Sequence, residues 1–251
     1  MKNNKLRLLI AGNKTRFAHL KQFIMELEKI GIESKLIYDI EFIDKFLQVN
    51  IKKKIEKDRN FKKILSEFDP DAVLLDRISK IGKKVIEQNI PLLILLRGNY
   101  WEESSWAKKT IYKSTIKRLA VAKNEELFDL CLKKSTIILP ISKYLENEVK
   151  KRYPEKNVEL FPADGRVPEE WYSITGQKLK HPCVGLLQGL DIWGKSKEIL
   201  TLKNVLKKLP QVTFYLAGDG IYRDQIIPEL KNFKNFVWLG NLEYPNEVKE
   251  F

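Results

Sequence analysis

The feature that most constrains this chain is a rhythm. Short apolar runs that stop at glycine, asparagine or aspartate alternate with segments of helical periodicity. Leu6–Gly12 is the first such run, and Phe17, Leu20, Ile24, Leu27 and Ile30 recur behind it at helical spacing until Gly31 closes the segment. Ser34–Tyr38, Asp71–Asp76, Pro91–Leu96 and Thr136–Pro140 predict four more strands, with Asp69-Pro70 as a turn signal before one of them. Helices are expected over Ile40–Ile64, Ile78–Gln88 and Lys113–Lys134, and from a cap at Ser142 to about Arg152. Asn157–Phe161 predicts a short strand leading into Pro162-Ala163-Asp164-Gly165. Strands and helices in this order predict parallel βαβ units with right-handed crossovers. Nearly continuous apolar strands are expected where helices cover both faces of the sheet.

The polar stretch Ser173–His181 breaks the rhythm and reads as a linker, which divides the chain into residues 1–172, 173–181 and 182–251. The pattern then restarts: strand Cys183–Leu187, helix Lys197–Lys208, strand Val212–Ala217, helix Tyr222–Asn232 and strand Phe236–Leu239 ending at Gly240. The expected fold class is therefore α/β, with two Rossmann-like parallel-sheet domains facing each other across a cleft. The second domain shows about three strands, where open doubly wound sheets have about five or six. A three-stranded parallel sheet leaves a long edge unpaired. The expectation is that the chain ends before its second fold does, either as a fragment or with a partner completing the sheet.

Composition narrows the class. At 43% hydrophobic and 31% charged residues, the 251-residue chain is expected to pack a core. Cys131 and Cys183 stand far apart in apolar contexts and read as buried thiols of a reducing compartment. His19 and His181 are isolated, and no Cys/His cluster has metal-ligand spacing, so no metal site is expected. Leu6–Ile10 is too short for a secretory signal, and no run approaches the roughly 20 apolar residues of a membrane span. A cytoplasmic protein is expected. The net charge of +13 suits an anionic partner. Basic residues concentrate in Lys52–Lys63 and Lys108–Arg118, where the plain reading is solvated helix faces. No zinc finger, RNP-type strand or helix-turn-helix motif supports nucleic acid as the partner. An anionic membrane surface fits better, because Lys108, Lys109, Lys113, Lys117 and Arg118 interleave with Trp106, Ile111, Tyr112, Ile116 and Leu119.

One stretch points to a ligand. Val212–Arg223 reads V-T-F-Y-L-A-G-D-G-I-Y-R, an apolar run that ends in Gly218-Asp219-Gly220 and passes into a helix. In a parallel sheet the carboxyl end of a strand is where ligands bind. Glycines there let backbone amides approach a ligand and open a helix whose N-terminus favours anions. A plain strand-to-helix turn uses glycine for the same steric reasons, so both readings stand on this stretch alone.

The order of segments resembles the GT-B glycosyltransferases, in particular the nucleotide-sugar-dependent family 4 (glycosyl transferases group 1). Ile137–Leu145 is similar to that family's last N-domain strand and following helix, and Val158–Gly165 to its strand and "PNG" turn, written here Pro-Ala-Asp-Gly. Val184–Lys195 resembles the first donor-domain strand with its glycine/lysine loop. Phe214–Arg223 resembles the "GDGP-x-R" segment, with Ile221 in place of the proline. Phe236–Gly240 resembles the "V-x-F-L-G" strand, and Pro245–Phe251 the helix after it.

The resemblance implies transfer of a sugar from a nucleotide-diphosphate sugar to an acceptor hydroxyl on a lipid, glycan or protein. It implies retention of configuration, no metal, and no cofactor beyond the nucleotide sugar as co-substrate. Cationic side chains and helix N-termini would stabilise the departing diphosphate. Gly189 and Lys195 match the family's glycine and diphosphate-binding lysine, and Lys197 is a possible substitute for Lys195; an exposed helix-start charge is the alternative for either lysine. Gly218, Asp219, Gly220 and Gly240 would shape the nucleotide pocket. Leu190 replaces the arginine that usually follows the first glycine. On the N-domain side Gly12 and Asn13 would line the cleft, and Arg97-Gly98 stands where many relatives carry a histidine. Arg97 would contact a donor or acceptor phosphate, or else pair with Glu102 or Glu103. The family's E-x7-E element lies beyond the "FLG" strand, and this sequence stops first.

Three function classes follow. A glycosyltransferase leads. A truncated or degenerate GT-B protein that binds without turnover comes second. An epimerase of the same fold, which rearranges the nucleotide sugar itself, comes third: it calls for acidic general bases and a histidine-bearing cleft, and neither histidine is well placed.

Overall fold

The apolar runs of the N-terminal half become the parallel strands β1 (Arg7–Gly12), β2 (Glu33–Tyr38), β3 (Ala72–Leu75), β4 (Leu92–Leu96) and β5 (Ile137–Pro140). They form one sheet in the order β2-β1-β3-β4-β5, with Ile10 level with Leu36 on one side and Leu74 on the other. The computed structural model describes residues 5–13, 17–43, 51–110, 112, 114–162, 176, 179–244 and 246–251. The chain divides into two units, Met1–Arg166 and Val167–Phe251. The expected linker falls largely outside the described residues, as do the turn residues 163–165 and Pro245.

Side-chain alternation in the first sheet divides its core in two. Leu9, Ala11, Val73, Leu75, Ile94 and Leu96 meet α3 (Ile51–Phe68), α4 (Lys80–Glu87), α6 (Thr115–Lys134) and α7 (Lys143–Arg152). Leu8, Ile10, Leu74 and Leu95 meet α1 (Phe17–Lys29). Helix α1 closes as its sequence dictates. Gly31 has φ +84°, and the amides of Gly31 and Ile32 donate to the carbonyls of Glu28 and Leu27, the paired bonds of a left-handed C-terminal cap. Ile30, the last member of the apolar series, sits in that cap and is exposed. Ser142 caps α7 as expected, its hydroxyl accepting from the Leu145 amide. The segment expected as one helix from Ile40 contains α2 (Asp39–Phe42) and α3, with residues 44–50 outside the described set. Another helix, α5 (Tyr100–Thr110), precedes α6; its signal is Asn99, whose side chain accepts from the Glu102 amide. Asn157–Phe161 runs beside β5 through a single bridge, Val158 to Ile138.

The C-terminal unit holds three parallel strands in sequential order, β6 (Cys183–Leu187), β7 (Thr213–Ala217) and β8 (Phe236–Gly240). Around them lie α8 (Trp193–Glu198), α9 (Leu202–Lys208), α10 (Arg223–Leu230) and α11 (Asn246–Glu250). The helical segment thus begins at Trp193, earlier than its periodicity implies. Every residue of β7 is buried. Strand β6 departs from the expectation of two covered faces, since Val184 and Leu187 are exposed. Gly185 admits the ring of Phe251, which a Cβ would meet at 2.9 Å.

Candidate functional site

Strand order 2-1-3-4-5 has a switch point between β1 and β3, where the chain leaves the sheet in opposite directions and the carboxyl ends part. A cavity of about 200 Å³ lies there, lined by Asn13 after β1, Asp76 and Arg77 after β3, and Arg97, Gly98, Tyr100 and Glu103 after β4. Asp76 is only 2% exposed, and its amide donates to Ala11 O, which ties the end of β3 to β1. Burying that carboxylate requires a partner. Arg97 supplies it, donating from Nε to Asp76 Oδ1 at 2.7 Å. The expected alternative for Arg97, a pair with Glu102 or Glu103, is therefore corrected: its partner is Asp76, the deeper and nearer carboxylate. Gly98 makes room for a second acid, since a Cβ there would lie 2.6 Å from Glu103 Oε1. Gly12 has a packing role, because a Cβ would come within 2.3 Å of Leu20 Cδ1.

The electrostatics are mixed. Burial pushes the Asp39 carboxyl, at the start of α2, above its ordinary range, and Asp76 adds to the shift. Burial likewise raises the Tyr100 phenol, with Arg77 opposing. Two guanidinium groups and two carboxylates thus line one small cavity, enough to orient a polar ligand and to accept or return a proton. Of the residues singled out from sequence on this side, Asn13, Arg97 and Gly98 line the cavity and Gly12 ends the strand beneath it. Asp76, Arg77, Tyr100 and Glu103 were missed. For Asp76 the signal was present: an acid closing a buried apolar strand.

In the C-terminal unit the carboxyl ends of all three strands carry glycine. Gly218 N donates to Gly240 O at 2.6 Å, Gln188 N to Ala217 O at 2.9 Å, and Leu190 N to Asp219 O at 2.9 Å. The loops after β6, β7 and β8 are thereby stitched into one surface. Gly218 and Gly220 lie at φ +142° and +156°. A Cβ on either would enter the backbone of the 188–191 loop, 2.0 Å from Gln188 O for Gly218 and 2.5 Å from Leu190 C for Gly220. Their glycine identity is thus required by the fold. Gly189 differs: it has no strained φ and nothing within 4 Å of a Cβ. The amides of Gly189 and Asp219 donate to nothing among the described residues.

Leu190 is fully buried in the second core. A leucine there serves packing. Lys195 and Lys197 are exposed on α8. Two positions apart on a helix, they point to different sides, so a single ligand would meet one of them. Asp219 folds back on Gly220 N at 2.7 Å and lies 3.5 Å from Arg223 Nη1. Cys183, expected to be buried, is half-buried beside His181 because β6 is open on one side. Cys131 is buried as expected. No described helix is long and apolar enough to cross a membrane.

No protein-family model matches this chain, and no curated protein matches it in sequence. Solved structures do match in fold. The UDP-GlcNAc 2-epimerase from Neisseria meningitidis bound to UDP-GlcNAc superposes with a TM-score of 0.57 at 15% identity, over 97% of this chain and 74% of that one. The S. aureus MnaA–UDP co-structure gives a TM-score of 0.60 at 10% identity, over 98% and 71%. The lipopolysaccharide outer core galactosyltransferase WaaB, in its apo form, gives 0.52 at 12% identity, over 97% and 70%. At these identities the likeness is one of fold, and the fold is GT-B: two α/β units built on parallel sheets.

Proposed function

We propose that this protein binds a nucleoside-diphosphate sugar and epimerises it at the carbon next to the anomeric centre. The observation that carries this reading is the cavity at the β1/β3 switch point, where Asp76 and Glu103 stand with Arg77 and Arg97. Inverting that carbon removes its proton as the anomeric C–O bond breaks and the diphosphate departs, then returns a proton to the opposite face as that bond re-forms, work that suits positioned carboxylates. The UDP-GlcNAc 2-epimerases of the same fold support it. This puts first the reaction that ranks third on the sequence alone; two carboxylates beside one cavity favour it. In this reading the C-terminal strand ends hold the nucleotide: Gly189, Gly218, Asp219, Gly220 and Gly240 form its wall, and Lys195 or Lys197 faces the diphosphate. Gly12, Asn13, Arg97 and Gly98 belong to the sugar side. No resident metal is invoked, and EDTA should leave turnover unchanged.

Glycosyl transfer is the second reading. It is favoured by the placing of Gly218-Asp219-Gly220 and Leu239-Gly240 at adjacent strand ends, in the order family 4 uses, and by the fold likeness to WaaB. Incubation with UDP-GlcNAc in D₂O, followed by proton NMR, separates the two. Epimerisation yields the C2 epimer with deuterium at C2. Transfer yields UDP only when an acceptor is added and leaves C2 protonated. For the epimerase reading, Asp76→Asn or Glu103→Gln should lower kcat by about 10²–10⁴-fold. Turnover unchanged in both variants would remove the carboxylates from the chemistry and sink that reading.

A further inference from the structure

We infer that the face formed by the first turns of α3 and α6 docks on an anionic phospholipid bilayer. Both helices cover the same side of the first sheet and each leads into a parallel strand, β3 and β5. Their N-termini therefore emerge at one edge, the edge that carries the Asp76 cavity. Ile51 and Ile55 are 71% and 63% exposed, and Ile116 and Leu119 are 69% and 59% exposed. At spacings of four and three, each pair forms a ridge on its helix. Cations surround both ridges. Ile51–Arg59 holds five basic residues against two acidic ones, and Thr115–Lys123 holds three and none. Between the helices, over α4, runs a groove of about 870 Å³ where Lys54, Lys62, Lys80, Lys83, Lys84 and Lys123 meet Asp58, Glu87 and Glu126, with Lys84 paired to Asp58.

Exposed branched aliphatics ringed by lysine match the interface of an anionic bilayer. The aliphatics enter the acyl boundary, and the cations meet phosphate headgroups. A nucleic acid would use the cations but offers nothing to four exposed aliphatic side chains, since its readers stack aromatic rings. The basic stretch singled out from sequence contributes unevenly. Lys108 is held by Glu125, Ile111 and Lys113 lie outside the described residues, and Trp106, Lys109, Tyr112, Ile116, Lys117, Arg118 and Leu119 are exposed. The partner α3 ridge was not expected. The inference does not depend on the nucleotide-sugar reading.

The test is flotation of the full chain with vesicles of phosphatidylcholine and phosphatidylglycerol, against vesicles of phosphatidylcholine alone. Binding is expected to the anionic vesicles and to weaken between 0.1 and 0.5 M NaCl. The quadruple variant K52S/K54S/K117S/R118S should lose about fivefold per residue, more than a hundredfold together. I116S/L119S should lose about tenfold with its charge unchanged. K207S/K208S/K231S/K234S, which removes the same charge from the other unit, should bind like the wild type. All these positions are exposed, so the variants should keep the wild-type melting temperature. Equal binding to neutral vesicles, equal loss in the control quadruple variant, or displacement from vesicles by equimolar duplex RNA would overturn the inference.

Discussion

Gly218→Ala tests whether the glycine loops of the C-terminal unit are built as described. Gly218 lies at φ +142°, where residues with a Cβ are strained by about 1–3 kcal/mol. The new Cβ would also fall 2.0 Å from Gln188 O and 2.7 Å from Gln188 C. Neither atom can rotate away, because Gln188 N is bonded to Ala217 O and Leu190 N to Asp219 O. Forcing the two loops apart costs about 1–3 kcal/mol by analogy with an overpacked core. Reduced freedom of the unfolded chain returns about 0.4–1 kcal/mol. The net loss is about 2–5 kcal/mol. Hydrogen exchange resolves this by unit. Where reclosing outpaces exchange, the β7 amides of Thr213–Ala217 should exchange roughly thirty- to several-thousand-fold faster, since each 1.4 kcal/mol is about tenfold. The amides of β1 and β3 serve as the reference. Gly240→Ala is the graded control: φ is +77° but nothing lies within 4 Å, so only the left-handed strain of about 1–2 kcal/mol applies. Exchange of β7 within threefold of wild type in Gly218→Ala would refute the close approach of the loops.

Gly189→Ala should leave unfolding free energy within about 0.5 kcal/mol of wild type, because a Cβ there meets nothing. Calorimetry should show weaker UDP binding, and unchanged affinity would remove Gly189 from the donor wall. Cys183 should react with Ellman's reagent at pH 8 in the native state. Cys131, whose thiol burial pushes up to about 12, should react only after unfolding; prompt reaction of both thiols would contradict its burial. Two carboxyls set opposite pH trends, readable by urea unfolding from pH 3 to 7. Hydrogen bonds from Lys133 and then Tyr153 lower the Asp129 carboxyl, so its stabilisation is full above the ordinary carboxylate range and is lost as pH falls through the lowered value. Burial raises Asp39, so its contribution falls as pH rises from the ordinary value through the raised one. Asp129→Asn should flatten the acid loss, and Asp39→Asn should remove the decline on the neutral side.

The strands were legible because each is a short apolar run bounded by a turn residue, and burial in a parallel sheet imposes that pattern. The predicted starts and ends of β6 and β8 match to within a residue. Helices were less legible where their own stripes are weak. Segment 100–110 alternates aromatic, acidic, serine and lysine residues with little periodicity. Its position is set instead by the Asn99 cap and by Tyr100, whose ring packs at a tilt against Phe128. The start of α8 was hidden by Trp193-Gly194, since a glycine near a helix start reads as loop. The exposure of β6 was not readable, because a strand's sequence does not reveal which neighbours cover it.

The site divides along the same physical line. Residues whose identity is forced by backbone geometry are visible in sequence, because few alternatives fit. Gly218 and Gly220 stand out for that reason, yet the contacts that demand them lie within the fold, and they carry less information about a ligand than their motif suggests. Gly189 carries more, since no packing contact within the fold calls for a glycine there. The Asp76–Arg97 pair inverts the case. Each residue draws notice at its own place in the sequence, but their pairing does not, because what joins them is the adjacency of β3 and β4, separated by a whole helix. A carboxylate buried to 2% exposure is costly without a partner, and Arg97 is one. Arg97→Met, which keeps the stem and removes the charge, should therefore destabilise the first unit. The double change with Asp76→Asn should recover part of that loss. If the recovery is absent in a double-mutant cycle, the pair is not what holds the strand ends together, and Arg97 must be held by something else in the cavity.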